Sequence, residues 1–190
     1  MTEPAWHEPW SSSSEQRPPS TLRKVTTFKV IHKSEYLPAI STTNVRSLGP
    51  KIKNYIQDFK QRELALSIVT ETWGRDDKKP YIKKIVAMFE TEGLGSFSLN
   101  RKARRGGGVA VVYDSQALMM EQIEVIVPHN LEVIWCLARP KMGQVRVIIV
   151  AAFYYPPRAK KKVKMTEHLI TTCHTLLLKH PGAELVIAGD

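Results

Sequence analysis

From residue 37 onward, short apolar runs alternate with a stretch whose apolar positions recur at helical spacing. "PAISTTN" and "LALSIVTE" have the length and composition of β-strands. A helix is predicted between them, because Pro50 suits a first helical turn and the apolar residues after it are three and four positions apart. These residues are Ile52, Tyr55, Ile56 and Phe59. The Gly, Pro and charged residues of "TWGRDDKKP" then predict an exposed loop.

The second half of the chain continues with strands and one long helix. "RKARRGGGVAVVYD" predicts a basic, glycine-rich turn that leads into a strand, and "LEVIWCLAR" and "QVRVIIVAAFYYPP" predict two more strands joined through "PKMG". "VKMTEHLITTCHTLLLKHPG" predicts a helix that Gly182 closes, and "ELVIAGD" predicts the last strand. Helices and strands alternate at both ends with hairpins between them. The predicted fold class is therefore α/β, a layered sandwich rather than a simple Rossmann sheet.

The first 36 residues have a different composition from the rest. They combine Pro, Ser and charge without a hydrophobic period, which predicts a disordered tail over 1–36 and one folded domain over 37–190. The chain carries a formal net charge of +10, and the tail holds five Lys and Arg against four Glu. The tail therefore contributes +1 and the remaining residues +9. A basic folded part favours polyanionic partners such as nucleic acid or an anionic membrane surface.

The two cysteines and the apolar runs exclude several other classes of protein. Cys136 and Cys173 are far apart and belong to no CxxC or Cys/His pattern, so neither a zinc site nor a disulfide-linked partner is expected. The N-terminus has no apolar core of a signal peptide, and the longest apolar run, "VIIVAAFYY", is too short to cross a bilayer. We therefore expect a soluble, intracellular protein without a transmembrane segment.

Four apolar runs each end at or near a polar residue that can take part in catalysis. These residues are Asn44, Glu71, Tyr154 and Asp190. In α/β proteins, ligand sites collect where strands end, because rigid backbone presents the side chains to a crevice. If the four strands share one sheet edge, the four side chains converge there.

Each residue also has a simpler interpretation when it is taken alone. Asn44 is typical of a strand end or turn, and Glu71 of a solvated acid after a strand. Tyr154 and Tyr155 could both serve the core, and alternation along a strand allows only one of them to face a crevice, for which we favour Tyr154. Trp73 is expected to pack beneath the loop, and "RRGGG" to form mainly a hairpin turn.

The order of the motifs adds a resemblance to a known family. "TTN", "TETW", "RRGGGVAVVY", "FYYPP" and "IAGD" together resemble the endonuclease/exonuclease/phosphatase superfamily. They are most similar to the apurinic-type endonuclease domain of non-LTR (LINE-type) retrotransposons. The resemblance covers 37–190 and implies the four-layer α/β sandwich of that superfamily.

The resemblance also implies a chemistry. Members of the superfamily hydrolyse phosphodiesters or phosphomonoesters with a divalent cation, usually Mg²⁺ or Mn²⁺. By this resemblance Glu71 is the metal ligand and Asn44 its neighbour at the metal site. Asp190 resembles the acid that positions or deprotonates the attacking water, and Tyr154 the tyrosine that hydrogen-bonds the scissile phosphate. The retrotransposon enzymes nick DNA for a downstream reverse transcriptase to prime on, which implies DNA as partner and a nuclear location.

The family pattern also contains residues that this sequence does not match. An Asn two places after the Asp of "GD", and a later Ser-Asp-His motif, would fall beyond Asp190. We therefore expect 1–190 to be a fragment holding the N-terminal half to two-thirds of the domain, with little activity alone. His168, His174 and His180 lie on or just after the last predicted helix and are not expected to replace the missing histidine.

Two basic clusters are candidates for binding nucleic acid. The first follows the strand of Tyr154 and could steer phosphate, or could simply be a solvated helix start. The second is part of the glycine-rich turn. The clusters contain Arg158, Lys160, Lys161 and Lys162, and Arg104 and Arg105.

Three functions remain open from the sequence. The first is a metal-dependent DNA endonuclease, which the basic charge favours. The second is a phosphatase of the same fold that acts on lipid or nucleotide phosphates. The third is a catalytically inactive, basic remnant that binds nucleic acid or does nothing.

Overall fold

Two four-stranded sheets form the framework of the protein. The computed structural model describes residues 38–102, 106–142, 146–156 and 162–190, without the side chains of residues 162 and 163. The first sheet has the strand order β1-β2-β4-β3 and the second the order β5-β6-β7-β8. In chain order the strands are β1 (Ile40–Asn44), β2 (Leu66–Thr70), β3 (Leu94–Leu99), β4 (Val109–Asp114), β5 (Leu118–Gln122), β6 (Glu132–Pro140), β7 (Ile148–Tyr154) and β8 (Glu184–Gly189).

The helices cover the outer faces of the two sheets. In the described part of the chain they are α1 (Ile52–Gln61), α2 (Lys79–Thr91) and α3 (Lys162–Lys179). Helices α1 and α2 pack on the first sheet, where Phe59 and Phe89 are almost fully buried against Val112. Helix α3 packs on the second sheet, where Cys173 and Leu176 contact the cluster around Trp135. None of these described helices is both long enough and apolar enough to cross a membrane.

The inner faces of the sheets form the central core. Apolar side chains from β2 and β4 pack against those from β6 and β7, with Ile68, Val111, Val150 and Cys136 at 0% exposure. Burying this much apolar surface is the main term that stabilises the fold. The result has four layers, helix, sheet, sheet and helix, so the predicted four-layer α/β sandwich is confirmed.

Two strand pairs are parallel, and this determines where the strands end. β1 pairs in parallel with β2, and β7 with β8, whereas the other described pairs are antiparallel. Parallel neighbours end at the same edge of their sheet. The last residue of β1 therefore lies beside the end of β2, and the last residue of β7 beside the end of β8.

Helix α1 has the buried face that the spacing predicts, with Ile52, Ile56 and Phe59 buried and Tyr55 partly buried. The loop predicted for "TWGRDDKKP" ends early, however. A 3-10 turn at Asp76–Lys78 leads directly into α2, with Pro80 in its first turn. The predicted disordered tail lies outside the described residues, and all the described residues belong to one compact unit.

Candidate active site

The four predicted residues lie where the parallel strands end. Asn44 is the last residue of β1, Glu71 follows β2, Tyr154 is the last residue of β7 and Asp190 follows β8. They do not share the edge of one sheet, as the sequence interpretation proposed, because β1 and β2 belong to the first sheet and β7 and β8 to the second. The side chains instead meet across the gap between the two sheets.

A cleft of about 590 Å³ opens at this rim of the sandwich. All four predicted residues line it together with two aromatic residues and one cation. The lining residues are Asn44, Arg46, Glu71, Trp73, Tyr154, Tyr155 and Asp190. The structure therefore brings the four residues together, while their catalytic role stays a prediction.

A hydrogen bond between Asn44 and Asp190 joins the two sheets directly. The Asn44 side-chain amide, Nδ2, donates to Asp190 Oδ2 at 2.5 Å, and the Arg46 backbone N–H donates to Asn44 Oδ1 at 3.2 Å. These contacts fix which way the amide of Asn44 points. The backbone of Asp190 extends the pairing of β7 and β8, since its carbonyl accepts from Tyr155 N–H at 2.6 Å. Asp190 is thus held by its main chain while its carboxylate is exposed at the cleft.

The Glu71 carboxylate is held by three donors. Its Oε2 accepts hydrogen bonds from the Trp73 indole N–H at 2.5 Å and from the Gly107 backbone N–H at 3.1 Å. The Tyr154 hydroxyl also donates to this carboxylate, which makes a second link between the sheets. Glu71 and Trp73 have φ angles of 57° and 56°, a left-handed conformation that is uncommon for residues other than glycine. Such strain persists where the surrounding contacts enforce it, and it concentrates at functional sites.

These contacts determine the protonation states. Partial burial acts to raise the pKa of the Glu71 carboxyl, but the hydrogen bonds from its three donors and the charge of Arg101 outweigh burial and hold that pKa below its usual value. Burial raises the pKa of the Tyr154 hydroxyl, and the adjacent Glu71 carboxylate raises it further. At neutral pH, Glu71 is therefore a carboxylate that accepts and Tyr154 is a phenol that donates.

The glycines of "RRGGG" do more than turn the chain between antiparallel β3 and β4. Gly107 and Gly108 have φ angles of +69° and +85°, which glycine adopts without strain. A Cβ on Gly107 would lie 2.3 Å from the guanidinium carbon of Arg101. Besides the bond from Gly107 to Glu71, the Gly108 N–H donates to Glu132 Oε2 at 2.6 Å. A side chain at position 107 would therefore be strained by the positive φ and would collide with Arg101.

Two predictions for individual residues are wrong. Trp73 does not simply pack beneath the loop; it lines the cleft and binds Glu71. Both Tyr154 and Tyr155 line the cleft, because β7 ends at Tyr154 and the alternation of a strand does not extend to the next residue. The ion pair between Arg101 and Glu132 was not predicted, because it joins residues 31 positions apart and no local motif indicates it.

The predicted basic clusters cannot be placed at the site. Arg104, Arg105, Arg158, Lys160 and Lys161 lie outside the described residues, and so does the side chain of Lys162. Among the residues that the structure describes, Arg46 is the cation that lines the cleft.

No histidine lines the described part of the cleft. His168 packs on the outer face of the second sheet, where its Nε2 accepts a hydrogen bond from the Trp135 indole N–H at 3.2 Å.

The cleft offers oxygen ligands for a metal. Two carboxylates and one amide oxygen, from Glu71, Asp190 and Asn44, are of the hard type that Mg²⁺ prefers. In the described parts of the chain, no group of three or more His, Cys, Asp and Glu side chains could hold a metal ion by itself. Mg²⁺ keeps several water ligands and needs only one or two carboxylates, so the residues present fit such an ion.

Comparison with known proteins identifies the fold. The chain superposes on ANGEL2, a 2′,3′-cyclic phosphatase, with a TM-score of 0.59 and 15% identity, over 80% of this chain and 52% of that protein. It matches the 3′ phosphatase NExo from Neisseria, bound to a product DNA hairpin, with a TM-score of 0.53 and 17% identity, over 81% of this chain and 57% of that protein. The endonuclease domain of TRAS1, a telomere-specific non-LTR retrotransposon, gives a TM-score of 0.54 and 14% identity, over 81% and 60%. The chain has the endonuclease/exonuclease/phosphatase fold.

The likeness is one of structure rather than of sequence. No family model and no curated protein sequence matches the chain. The chain spans about half to three-fifths of the length of these three proteins of the endonuclease/exonuclease/phosphatase fold. At identities of 14–17% the likeness establishes this fold, which hosts several activities, and the function has to be argued from the site.

Proposed function

We propose that the chain carries part of the catalytic centre of a divalent-metal-dependent phosphodiester hydrolase that nicks DNA. The convergence of Glu71, Asn44, Tyr154 and Asp190 in one cleft between two sheets is the observation that carries this proposal. Hydrolysis of a phosphate ester uses the groups found here: the ionised carboxylate of Glu71, the protonated phenol of Tyr154 and the exposed carboxylate of Asp190.

The Glu71 carboxylate and the Asn44 side-chain oxygen would hold the ion. Asp190 lies beside them, because its carboxylate accepts a hydrogen bond from the Asn44 amide. A bound Mg²⁺ or Mn²⁺ supplies charge that stabilises the phosphate oxygens and lowers the pKa of a water molecule. The charges of the lining support such an ion, because two carboxylates face the single positive charge of Arg46 among the described residues. A phosphate would be repelled there without added positive charge.

The remaining groups act on protons and hydrogen bonds. The Asp190 carboxylate is exposed and oriented by Asn44, so it can accept a proton from an attacking water. The Tyr154 hydroxyl is protonated at neutral pH and can donate to a phosphate oxygen. A donor held in place before reaction stabilises charge that develops on that oxygen.

DNA is the proposed substrate, because the chain is strongly basic and a phosphate backbone is a polyanion. The DNA hairpin in the Neisseria protein and the retrotransposon origin of the TRAS1 domain support this choice. The finer form of the proposal is an endonuclease domain of a non-LTR retrotransposon. In that form the nicked strand primes a downstream reverse transcriptase, and the reaction takes place in the nucleus.

The proposal can be tested by metal binding, which does not require turnover. Isothermal titration of 1–190 with Mn²⁺ should show one site that Glu71→Gln removes. Glu90→Gln, on the exposed side of α2, is the matched control and should bind as the original chain does. Absence of Mn²⁺ binding, or binding that survives Glu71→Gln, would contradict the proposal.

An activity assay then separates the three candidate functions. Incubated with supercoiled plasmid and Mg²⁺, the chain should nick slowly, because no histidine lines the described part of the cleft. Nicking should disappear in Glu71→Gln. Release of inorganic phosphate from 3′-phosphorylated DNA without nicking would favour the phosphatase, which the NExo and ANGEL2 likenesses make the second candidate. DNA binding without either reaction would favour the inactive remnant.

A further inference from the structure

Arg101 and Glu132 form a partly buried ion pair directly behind the cleft. Arg101 follows β3, and Glu132 is the first residue of β6 in the other sheet. The Arg101 Nε donates to Glu132 Oε1 at 2.7 Å, and a terminal guanidinium nitrogen donates to the same oxygen. The two side chains are only 20% and 17% exposed, so water screens this pair less than an ordinary surface pair.

The pair contacts the groups that hold the proposed catalytic residues. Glu132 lies directly opposite Tyr154 in the pairing of β6 with β7, and its second oxygen accepts from the Gly108 N–H. The Arg101 guanidinium carbon is 5.8 Å from the centre of the Tyr154 ring, a distance at which the cation is attracted to the ring face. The same guanidinium occupies the space beside Gly107, whose N–H binds Glu71.

The backbone of Arg101 adds a link to the loop that follows Glu71. Its N–H donates to the Gly74 carbonyl at 3.2 Å, and its carbonyl accepts from the Asp76 N–H at 3.1 Å. One residue thus connects the loop that carries Trp73, the glycine turn and the second sheet. Neither Arg101 nor Glu132 is among the described residues that line the cleft, so both act on it through the residues they contact.

We propose that Arg101 and Glu132 are a positioning pair, which holds the Gly107–Gly108 turn and the Tyr154 ring so that the Glu71 carboxylate keeps its orientation in the cleft. This inference rests on the proposed function, which makes the orientation of Glu71 important because Glu71 would hold the metal ion. Asn44 with Asp190, and Glu71 with Tyr154, already link the two sheets. The Arg101–Glu132 pair is a further link, and it fixes the glycine turn at the rim where the site is built. Sites held this way keep their geometry because supporting contacts lock the side chains.

The Trp73 indole N–H reports the orientation of Glu71 without any reaction, because it donates to that carboxylate. Its signal in a ¹H–¹⁵N spectrum of chain 1–190 is assigned as the one among four tryptophans that Trp73→Phe removes. In Arg101→Gln and in Glu132→Gln we expect this signal to shift and its hydrogen exchange to accelerate about tenfold, the factor that corresponds to losing one charge-assisted contact.

The control variant is Glu121→Gln, which removes the carboxylate of an Arg–Glu pair that lies within the second sheet. Glu121 contacts Arg139 at 3.5 Å between β5 and β6. A merely structural role would lower the melting temperature and leave the Trp73 signal of the folded protein unchanged. If Arg101→Gln does not fold, Arg101→Lys keeps the charge, loses the fork of two donors, and is measured in the same way.

Two results would overturn the inference. The first is that the folded Arg101 and Glu132 variants show the same Trp73 signal and the same exchange rate as the original chain. The other is an equal effect of Glu121→Gln. Failure of the proposed function would look different, since Mn²⁺ would then not bind at Glu71 while the Trp73 signal still responded to the pair.

Discussion

The side-chain amide of Asn44 donates to the carboxylate of Asp190 across the gap between two β-sheets, at 2.5 Å, although 146 positions separate the two residues in the chain. Each residue comes at the end of a strand that has a parallel neighbour, and the two parallel pairs end at the same rim. The candidate site therefore depends on how the sheets pack face to face. Side chains from both halves of the sandwich have to meet for the cleft to form.

The link between Asn44 and Asp190 should be measurable as a coupling energy. Asn44→Ala and Asp190→Ala should each destabilise the protein, and the double variant should cost less than their sum by about 1 kcal/mol, because both remove one exposed hydrogen bond to a charged group. Urea unfolding of the four proteins measures the cycle. In the matched control cycle, Ser41→Ala takes the place of Asn44→Ala beside Asp190→Ala. Ser41 is suitable because it bonds Ser67 on the neighbouring strand instead of Asp190. Strict additivity for Asn44 and Asp190 would contradict a stabilising link.

The Glu71 carboxylate should make stability depend on acid pH. Its pKa in the folded protein is below the usual value of 4.5, so ionised Glu71 contributes stability above about pH 4.5 that is lost as the pH falls through the folded pKa. Glu71→Gln should reduce that loss, since glutamine does not titrate. Urea unfolding at steps between pH 7 and pH 3 measures it, with Glu90→Gln as control. An acid dependence identical in Glu71→Gln and the original chain would show that the three donors do not stabilise the ionised form.

The glycine turn should be intolerant of any side chain. Gly107→Ala introduces left-handed strain of about 1–2 kcal/mol, and its Cβ would collide with Arg101, which adds about 1–3 kcal/mol of overpacking. Gly93→Ala is the matched control, because Gly93 has a φ of +75° but nothing within 4 Å of the added carbon. The free energy of unfolding should therefore fall more for Gly107→Ala than for Gly93→Ala. Equal losses would show that the guanidinium does not press on the turn.

Much of the fold could be predicted from local patterns, because burial of one face imposes a period on the sequence. Helices α1 and α3 and strands β1, β2, β4, β6, β7 and β8 were predicted from such local patterns. Helix α2 was missed although Ile82, Ile85 and Phe89 are spaced for a helix, because the charged run before it was interpreted as a loop. Strands β3 and β5 are poorer in β-branched residues and form by pairing with β4 and β6.

Four residues of the cleft could be named from the sequence, but their arrangement could not. A strand that ends in a polar residue indicates a candidate such as Glu71, but its hydrophobic pattern does not reveal which sheet the strand joins. The convergence was therefore assigned to one sheet edge instead of the gap between two sheets. Arg101 and Glu132 escaped detection for the same reason, since an ion pair between distant residues leaves no local signal. Long-range pairing, rather than local propensity, builds the cleft.

Helix α3 should dock on the second sheet in a pH-dependent way through His168. The Trp135 indole N–H donates to His168 Nε2, so the docked ring is neutral with its proton on Nδ1. Burial lowers the pKa of His168 below its usual 6.5. The stabilisation should therefore be complete above about pH 6.5 and should fall as the pH drops from there to the pKa of the folded protein. At that pKa the docked ring takes up a proton and loses the bond from Trp135. His168→Gln should flatten this slope between pH 7 and pH 5 in urea unfolding. His174→Gln, on the exposed side of the same helix, should retain it. An unchanged slope in His168→Gln together with a flattened one in His174→Gln would mean that a different histidine couples this helix to pH.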